Sequence, residues 1–487
     1  MSESVNDRAE SIRPSAASSD EIAPGQLAPA RANLAQDSDP AAGPRRFKTY
    51  ATYKDSGIEW LGEIPAHWET KAVWILFRLG RGRVISNEEI LDNPGPYPVY
   101  SSQTENDGIM GYMNTYDFDG NYITWTTDGA NAGTVFYRTG KFNCTNVCGT
   151  VFARHGDIDL RFFARALNLA TSWFVRHDIN PKLMNNVMAR IRVQVPPAAE
   201  QRCIASFLDH KAAKVDALVA KKERLITLLQ EKRAALITRA VTKGLPAAAA
   251  AQAGLPSTDS GQATPSVPMK DSGVDWLGEI PAHWEVAPVY SRYEVALGKM
   301  LDAKRVTGEH LAPYLRNVDV QWDSVNVENL PEMDFHPEER GRYSLRPGDL
   351  LVCEGGEVGR TAMWRGELKE CFYQKAIHRV RPLSEKDVPR HFYYVMYAAA
   401  SRGVFVAGGN PNTIDHLTAI QLRHYRLPFP TKEEQAQIVV VLDQETVKID
   451  TLVAKIREGI EKLKEYRTAL ISGAVTGKID VRDEISL

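Results

Sequence analysis

Apolar residues recur at every seventh position in two separate stretches of the chain. In the first stretch Val215, Leu229 and Leu236 share a line with Lys222, and Val219 and Ile226 form a companion line ending at Arg233. In the second, Ile449, Ile456, Leu463 and Leu470 form the line, and Val453 and Ile460 the companion, ending at Arg467. Two apolar lines at heptad spacing predict a helix whose seam must be covered by another helix. The simplest cover for each stretch is the other, packed antiparallel as a coiled coil. Pro196-Pro197 and Pro430 stand where the two helices would enter, and Gly244 and Gly477 where they would end.

The regions before the helices carry a different pattern. Alternation in "NYITWTTDG", "GTVFYRTG" and "GTVFARH", and in "GDLLVCEGGEVGRTAMWRG" further on, predicts short strands joined by glycine turns. "RFFARALNLATSWFVRH" and "PRHFYYVMYAAASRGVF" have helical spacing. In the former, Phe162, Phe163, Leu167, Leu169 and Phe174 read as core. The fold class is therefore α/β of the mixed α+β kind.

The chain also repeats itself. "KDSGIEWLGEIPAHWE" at 54–69 returns as "KDSGVDWLGEIPAHWE" at 270–285. The helical block returns too: Gln201, Asp209 and Asp216 match Gln435, Asp443 and Asp450. The stretches between, 70–195 and 286–428, share neither an obvious motif nor a length. A fixed start, a variable middle and a fixed helix, repeated once, imply a pseudo-two-fold arrangement. The expected blocks are a disordered extension (1–46), a first domain (47–198), a first helix (199–244), a linker (245–268), a second domain (269–430) and a second helix (431–480). The extension is rich in Ala, Ser and Pro and cannot bury enough surface to offset its ordering entropy.

Composition narrows the class. No apolar run is long enough for a membrane span, and the first residues lack the apolar core of a secretory signal. The five scattered cysteines fit reduced thiols in a cytoplasmic protein better than a zinc site, which needs four ligands. The formal net charge of −2 does not mark a nucleic-acid binder, yet residues 340–426 hold 14 Lys/Arg against 8 Asp/Glu. His67 and His283 lie in the same frame of the two repeated strings. With no acid or nucleophile beside them in sequence, they read as structural.

The repeated opening string, the Pro-Pro…Glu-Gln…Phe-Leu-Asp block at 196–209 and "AKKERLITLLQEKRAALITRAVTKG" together resemble the DNA-specificity subunit of type I restriction–modification enzymes. The resemblance implies two target-recognition domains separated by two long helices. It also implies a double-stranded DNA target read in two unlike parts. A shared mount would repeat while each reader diverged. The partners implied are two methyltransferase subunits and restriction/translocase subunits, and no membrane. S-adenosylmethionine, ATP and magnesium would belong to those partners, and this chain would hold no cofactor. A helix of roughly 30 residues spans about 45 Å, on the order of 13 base pairs, so the helices would act as a spacer.

Catalytic motifs are missing. There is no phosphate loop of the Walker type, and Asn93-Pro94-Gly95-Pro96-Tyr97 departs from the Asn-Pro-Pro-Tyr of adenine methyltransferases by an inserted glycine. Base edges are read by short polar side chains, Arg and Lys on loops. The candidates in the first domain are Ser101, Ser102, Gln103 and Asn106, then Asp128 and Asn131, then Asn180, Lys182, Asn185 and Asn186. In the second they are Arg316 and Asn317, Glu354 and Arg360, and Asn410 and Asn412, with Lys375 and Arg379 expected at phosphates. Two other classes stay open: a coiled-coil adaptor for protein partners, and a methyltransferase or nuclease with unfamiliar motifs.

Overall fold

The structure is a computed structural model and describes residues 47–175, 180–246, 267–300, 306–405 and 416–484. It divides into two compact units. The described residues of the first come from Met1–Ala213 and Glu465–Leu487, and those of the second from Lys214–Lys464. The extension expected to be disordered lies outside the described residues, as does most of the linker.

The first unit opens with a hairpin of β1 (Tyr53–Asp55) and β2 (Glu63–Pro65), followed by β3 (Glu69–Ala72) and a short helix α1 (Val73–Leu76). Next come β4 (Phe77–Arg81), α2 (Asn87–Asp92), β5 (Tyr97–Tyr100), β6 (Ile109–Met113), β7 (Phe118–Thr126), β8 (Val135–Cys144) and β9 (Cys148–Ala153). These six strands form one sheet in the order β4-β9-β7-β8-β5-β6. Then α3 (Leu160–Thr171), α4 (Asn185–Arg190) and β10 (Arg192–Val195) follow, with β10 pairing antiparallel to β3, and the long α5 (Ala198–Lys243) begins in this unit and belongs to the second from Lys214 on. Phe162, Phe163 and Leu167 of α3 are fully buried, as their helical spacing predicts.

Outside the repeated string and the long helix, the second unit repeats this plan with little sequence in common. It has β11 (Met269–Asp271), β12 (Glu279–Pro281), β13 (Glu285–Pro288), β14 (Tyr293–Leu297), β15 (Leu311–Leu315), β16 (Val320–Gln321), β17 (Ser324–Val325) and β18 (Glu332–Asp334). After α6 (Pro337–Tyr343) come β19 (Leu350–Cys353), β20 (Thr361–Met363), β21 (Phe372–Tyr373), β22 (Ile377–Pro382), α7 (Pro389–Ser401), α8 (Ala419–His424), β23 (Arg426–Phe429) and the long α9 (Lys432–Val475). Its sheets run β14-β22-β19-β20 and β18-β15-β21. Taking β20 and β21 together as the counterpart of β8, the order is that of the first unit. The parallel pairs agree as well: β5 with β8 through Tyr100↔Cys144, and β15 with β21 through Leu315↔Tyr373. Hydrophobic spacing shows the strands but not their shared order. That order depends on backbone closures, which many side chains can satisfy.

The repeated strings are mounts, and each grips a helix end. Gly57 and Gly62 turn the first string at φ +68° and +65°, and Gly273 and Gly278 turn the second at +66° and +60°. In the first unit Trp68, Ile64 and Leu61 share a core with Leu470, Ala474 and Val475 from the end of α9. In the second, Trp284, Ile280 and Leu277 share one with Ile237, Ala240 and Val241 from the end of α5. Lys478 Nζ donates to the Glu63 carbonyl at 2.7 Å, and Lys243 Nζ donates to that of Glu279. Each compact unit thus takes in the end of a helix from the other copy, so the units cut across the blocks that the repeat suggests.

Within the second unit the two long helices pair antiparallel. Arg233 lies 3.2 Å from Asp450, and Gly459 faces Lys222, so numbers rise on one helix as they fall on the other. Val215, Ile449, Val453, Ile456 and Ile460 are buried, and Val219, Ile226, Leu229 and Leu463 are half-buried. Leu236 packs on the second unit's core and Leu470 on that of the first. Heptad spacing predicts this seam, and burial along it follows.

Two expectations follow. Gly477 has φ +71°, and a Cβ there would lie 2.4 Å from Pro65 Cδ, whereas at Gly244, φ +79°, the nearest atom is 3.6 Å away on Trp284. Gly244→Ala should cost about 1–2 kcal/mol from the left-handed backbone alone, and Gly477→Ala distinctly more, read as a larger drop in thermal unfolding temperature. The second concerns acid. Burial pushes the His391 imidazole down to about 3, against a smaller upward pull from Glu434. The unfolded chain then binds this proton first, so stability is lost as pH falls through about 6.5 and the loss continues toward the folded value. At pH 5 the loss is about 2 kcal/mol. His391→Leu should flatten that limb of a stability–pH profile.

Candidate nucleic-acid interface

Backbone closures gather the loops of the first unit at one corner. The Arg83 N–H donates to the Cys144 carbonyl at 3.1 Å, and that of Thr145 to the Tyr100 carbonyl at 2.9 Å. Gly82 is required here, because a Cβ would lie 2.2 Å from the Cys144 carbonyl oxygen. The ends of β4, β5 and β8 are thereby brought together. The loop 101–108 leaves β5 at this point. Asn131 Nδ2 donates to the Ser102 carbonyl at 3.2 Å, joining this loop to 127–134. Lys182 Nζ lies 3.6 Å from Asp128, and Asn180 Nδ2 donates to the same carboxylate at 3.4 Å. The Leu183 N–H donates to the Thr127 carbonyl at 2.9 Å. So Ser101, Ser102, Gln103, Asn106, Asp128, Asn131, Asn180 and Lys182, apart in sequence, share one surface. Asn185 turns inward to the Gly80 carbonyl at 3.0 Å, while Asn186 is exposed.

The second unit builds the same corner with other residues. The Lys299 N–H donates to the Tyr373 carbonyl at 3.0 Å and that of Gln374 to the Leu315 carbonyl at 3.0 Å. Gly298 fills the role of Gly82, with its Cβ position 2.2 Å from the Gln374 carbonyl oxygen. Asn317 Nδ2 donates to the Gly355 carbonyl at 2.8 Å, and Arg360 Nη2 to the Asn317 carbonyl at 3.0 Å. The Leu417 N–H donates to the Glu354 carbonyl at 2.7 Å, as Leu183 does to Thr127. Arg316, Asn317, Glu354, Arg360 and the exposed Lys375 therefore meet at this corner.

Some candidates are placed otherwise. Arg379, expected at a phosphate, is buried in β22 and donates to the Arg342 carbonyl at 2.8 Å and to Glu294 at 3.0 Å. Its surroundings are those of a structural arginine, because a buried guanidinium is held only where acceptors surround it. Arg316 forks onto Asp319 at 2.9 and 2.8 Å. Asn410 and Asn412 lie outside the described residues. Much of the basic excess at 340–426 is ion-paired within the unit: Arg340, Arg360, Arg365, Arg379, Arg381 and Arg390 all have carboxylate partners. Arginine that cements a fold and arginine that meets DNA look alike in a charge count.

Sequence reasoning passed over Arg81, the last residue of β4. It is exposed and donates to the Asn146 carbonyl and to the Thr127 hydroxyl at 3.5 Å. The recurrence of a glycine followed by a basic residue, Gly82-Arg83 and Gly298-Lys299, marked the corner in both copies. The acids missing beside the two histidines come from the long helices: His67 lies 2.9 Å from Glu200, and His283 lies 2.8 Å from Glu434. With one tryptophan beside each, Trp68 by His67 and Trp284 donating to Glu434 at 3.4 Å, these pairs fasten the mounts. All five cysteines are free thiols. Among the described residues, no group of three or more His, Cys, Asp or Glu is placed to hold a metal ion, and no helix is long and apolar enough to cross a membrane.

Comparison with known proteins agrees with this two-unit plan. The family model for the type I restriction modification DNA specificity domain matches residues 65–227 and again 298–462. The specificity subunit of the type I restriction enzyme MpnII from Mycoplasma pneumoniae is 41% identical over 170 residues, 34% of this chain and 51% of that one. A second chain from the same organism, S.MpnORF507P, is 49% identical over 130 residues, 26% of this chain and 35% of that one. The chain thus spans between a third and a half of these two relatives' length. A solved structure from a study of complex assembly and conformational transition of the type I restriction–modification system is similar in fold, with a TM-score of 0.57 and 15% identity. The match covers 85% of this chain and 98% of that one. Matched twice by one family model, over most of both units, the chain belongs to the type I restriction–modification DNA specificity family.

Proposed function

We propose that this chain reads a double-stranded DNA target in two unlike parts, one at each loop corner, and carries no catalytic step itself. The observation that supports this most directly is the contrast within the repeat. Strand order, corner glycines and mounts coincide, whereas the loops at the two corners share no sequence. A frame kept constant with its loops varied is how one scaffold serves two specificities. The polar side chains at the corners suit base edges, and Arg81, Lys182 and Lys375 suit phosphates. The paired helices act as the spacer between the two readings.

In this reading methyltransferase subunits, two per chain, dock on the complex and restriction/translocase subunits join them. S-adenosylmethionine, ATP and magnesium serve those partners in the cytoplasm. The repeated mounts give a physical reason for two copies of one partner, because each presents the same surface once.

Replacing residues 286–428 with the matching region of a relative should change one half of the methylated motif and leave the other intact, as read by long-read methylation mapping with the methyltransferase present. A change in both halves would refute independent reading. The purified chain alone should transfer no methyl group from radiolabelled S-adenosylmethionine, while the chain mixed with its methyltransferase should methylate specific sites.

A further inference from the structure

Four residues other than glycine have left-handed backbone among the described residues: Asn106 (φ 48°), Asp107 (55°), Asp323 (60°) and Asn329 (54°). The first two lie between β5 and β6, and the last two between β15 and β18. These are equivalent segments, each following the strand that makes the parallel pair at the corner. Among residues with a Cβ, Asn and Asp adopt left-handed backbone most readily, in turns, and it persists where the surroundings hold it.

Arginines reach each segment; in the second, the left-handed Asp323 is itself held by Arg365 and Arg390, and Arg360 meets the start of the segment. Arg138 of β8 donates through Nη1 to Asp107 Oδ2 and through Nη2 to the Asp107 carbonyl, both at 2.8 Å, and through Nε to the Thr124 hydroxyl at 3.3 Å. Its guanidinium lies 3.6 Å from the ring centre of Tyr100, the last residue of β5. In the second unit Arg360, just before β20, donates to the Asn317 carbonyl at 3.0 Å and to Asn317 Oδ1 at 3.3 Å. The side chain of Arg138 is 2% exposed and that of Arg360 14%. Guanidinium groups so covered are poorly placed to reach DNA. Asp107, by contrast, is 68% exposed.

We propose that Arg138 and Arg360 are positioning residues for DNA readout. Each fixes the segment after the parallel strand in its own unit, so that the exposed side chains of that segment meet the bases in one arrangement. For Arg138 the planar fork suits this task, since two of its nitrogens hold a side-chain oxygen and a carbonyl of one residue in a fixed geometry, whereas Arg360 meets both Asn317 oxygens through Nη2 alone. Arg360 thereby acts through Asn317 rather than on DNA. The inference rests on the reading of function above.

The test uses the full chain assembled with its methyltransferase, comparing wild type with Arg138→Met, Arg138→Lys, Asp107→Ala and Arg360→Met. Methylation rates are measured on duplexes carrying single base-pair changes in either half of the target. Arg138→Met and Asp107→Ala should reduce discrimination about tenfold or more within one half only. Arg138→Lys should recover little of it, and Arg360→Met should loosen the other half instead. Each unit thus controls for the other. If Arg138→Met fails to fold, the exposed Asp107 still decides. Unchanged discrimination, or a uniform slowing across both halves, would overturn the proposal. A wild-type complex that methylates no specific site would overturn the functional reading itself.

Discussion

A buried glutamine at the start of each long helix ties that helix to the variable domain before it. Gln201 accepts from the Asp159 N–H at 3.0 Å and donates to the Pro196 carbonyl at 2.8 Å; Gln435 accepts from the Val388 N–H at 2.8 Å and donates to the Pro430 carbonyl at 3.0 Å. One amide thus fixes both the entry of α3 or α7 and the strand-to-helix turn. Leaving any of these groups unpaired inside the protein would cost about 1–3 kcal/mol each. Because these four bonds are to backbone, and only Gln435 adds a side-chain partner in Asp387 at 3.4 Å, the sequence of the domain above them is largely free to change. The frame therefore tolerates a different reader in each copy without altering its seat.

Charge reinforces the same joint from outside. Asp209 meets Arg161 at 2.9 Å and also Arg165, while Asp443 meets Arg390 at 2.8 Å and the Tyr394 hydroxyl at 2.6 Å. The acid keeps its place in the two helices and so does one partner, Arg161 or Arg390, two residues after the N–H that the glutamine holds, while the second partner differs. Partly exposed pairs of this sort contribute modestly to stability. They restrict how α3 and α7 rotate on the helices, and so they hold the loop corners in orientation.

Much of this was legible in the residues. The heptad lines gave the paired helices, the duplicated string gave the mounts, and alternation with glycine turns gave β7, β8, β9 and β19. The common strand order was not legible. It rests on backbone closures at Gly82 and Gly298 that leave only a glycine and a basic residue as a trace. The gathering of Asn131, Ser102 and Asp128 was hidden for the same reason, since the loops meet through hydrogen bonds to backbone groups distant in sequence and not through any pattern of their own. Arg379 and Arg138 show the opposite difficulty. An arginine's letter is the same whether burial or solvent surrounds it.

The bridge between Lys48 and Asp480 has its own consequence. The beginning of the first copy and the end of the second lie side by side in one unit, joined further by Lys48 Nζ to Asp483 at 2.9 Å. The linear order of the parts is then a convention of translation rather than a demand of the fold. A cyclic sequence of mount, reader and helix, mount, reader and helix has two joints, one closed by peptide and one by this bridge. Exchanging which joint is covalent would leave every core in place, so two chains cut at different joints can share one architecture.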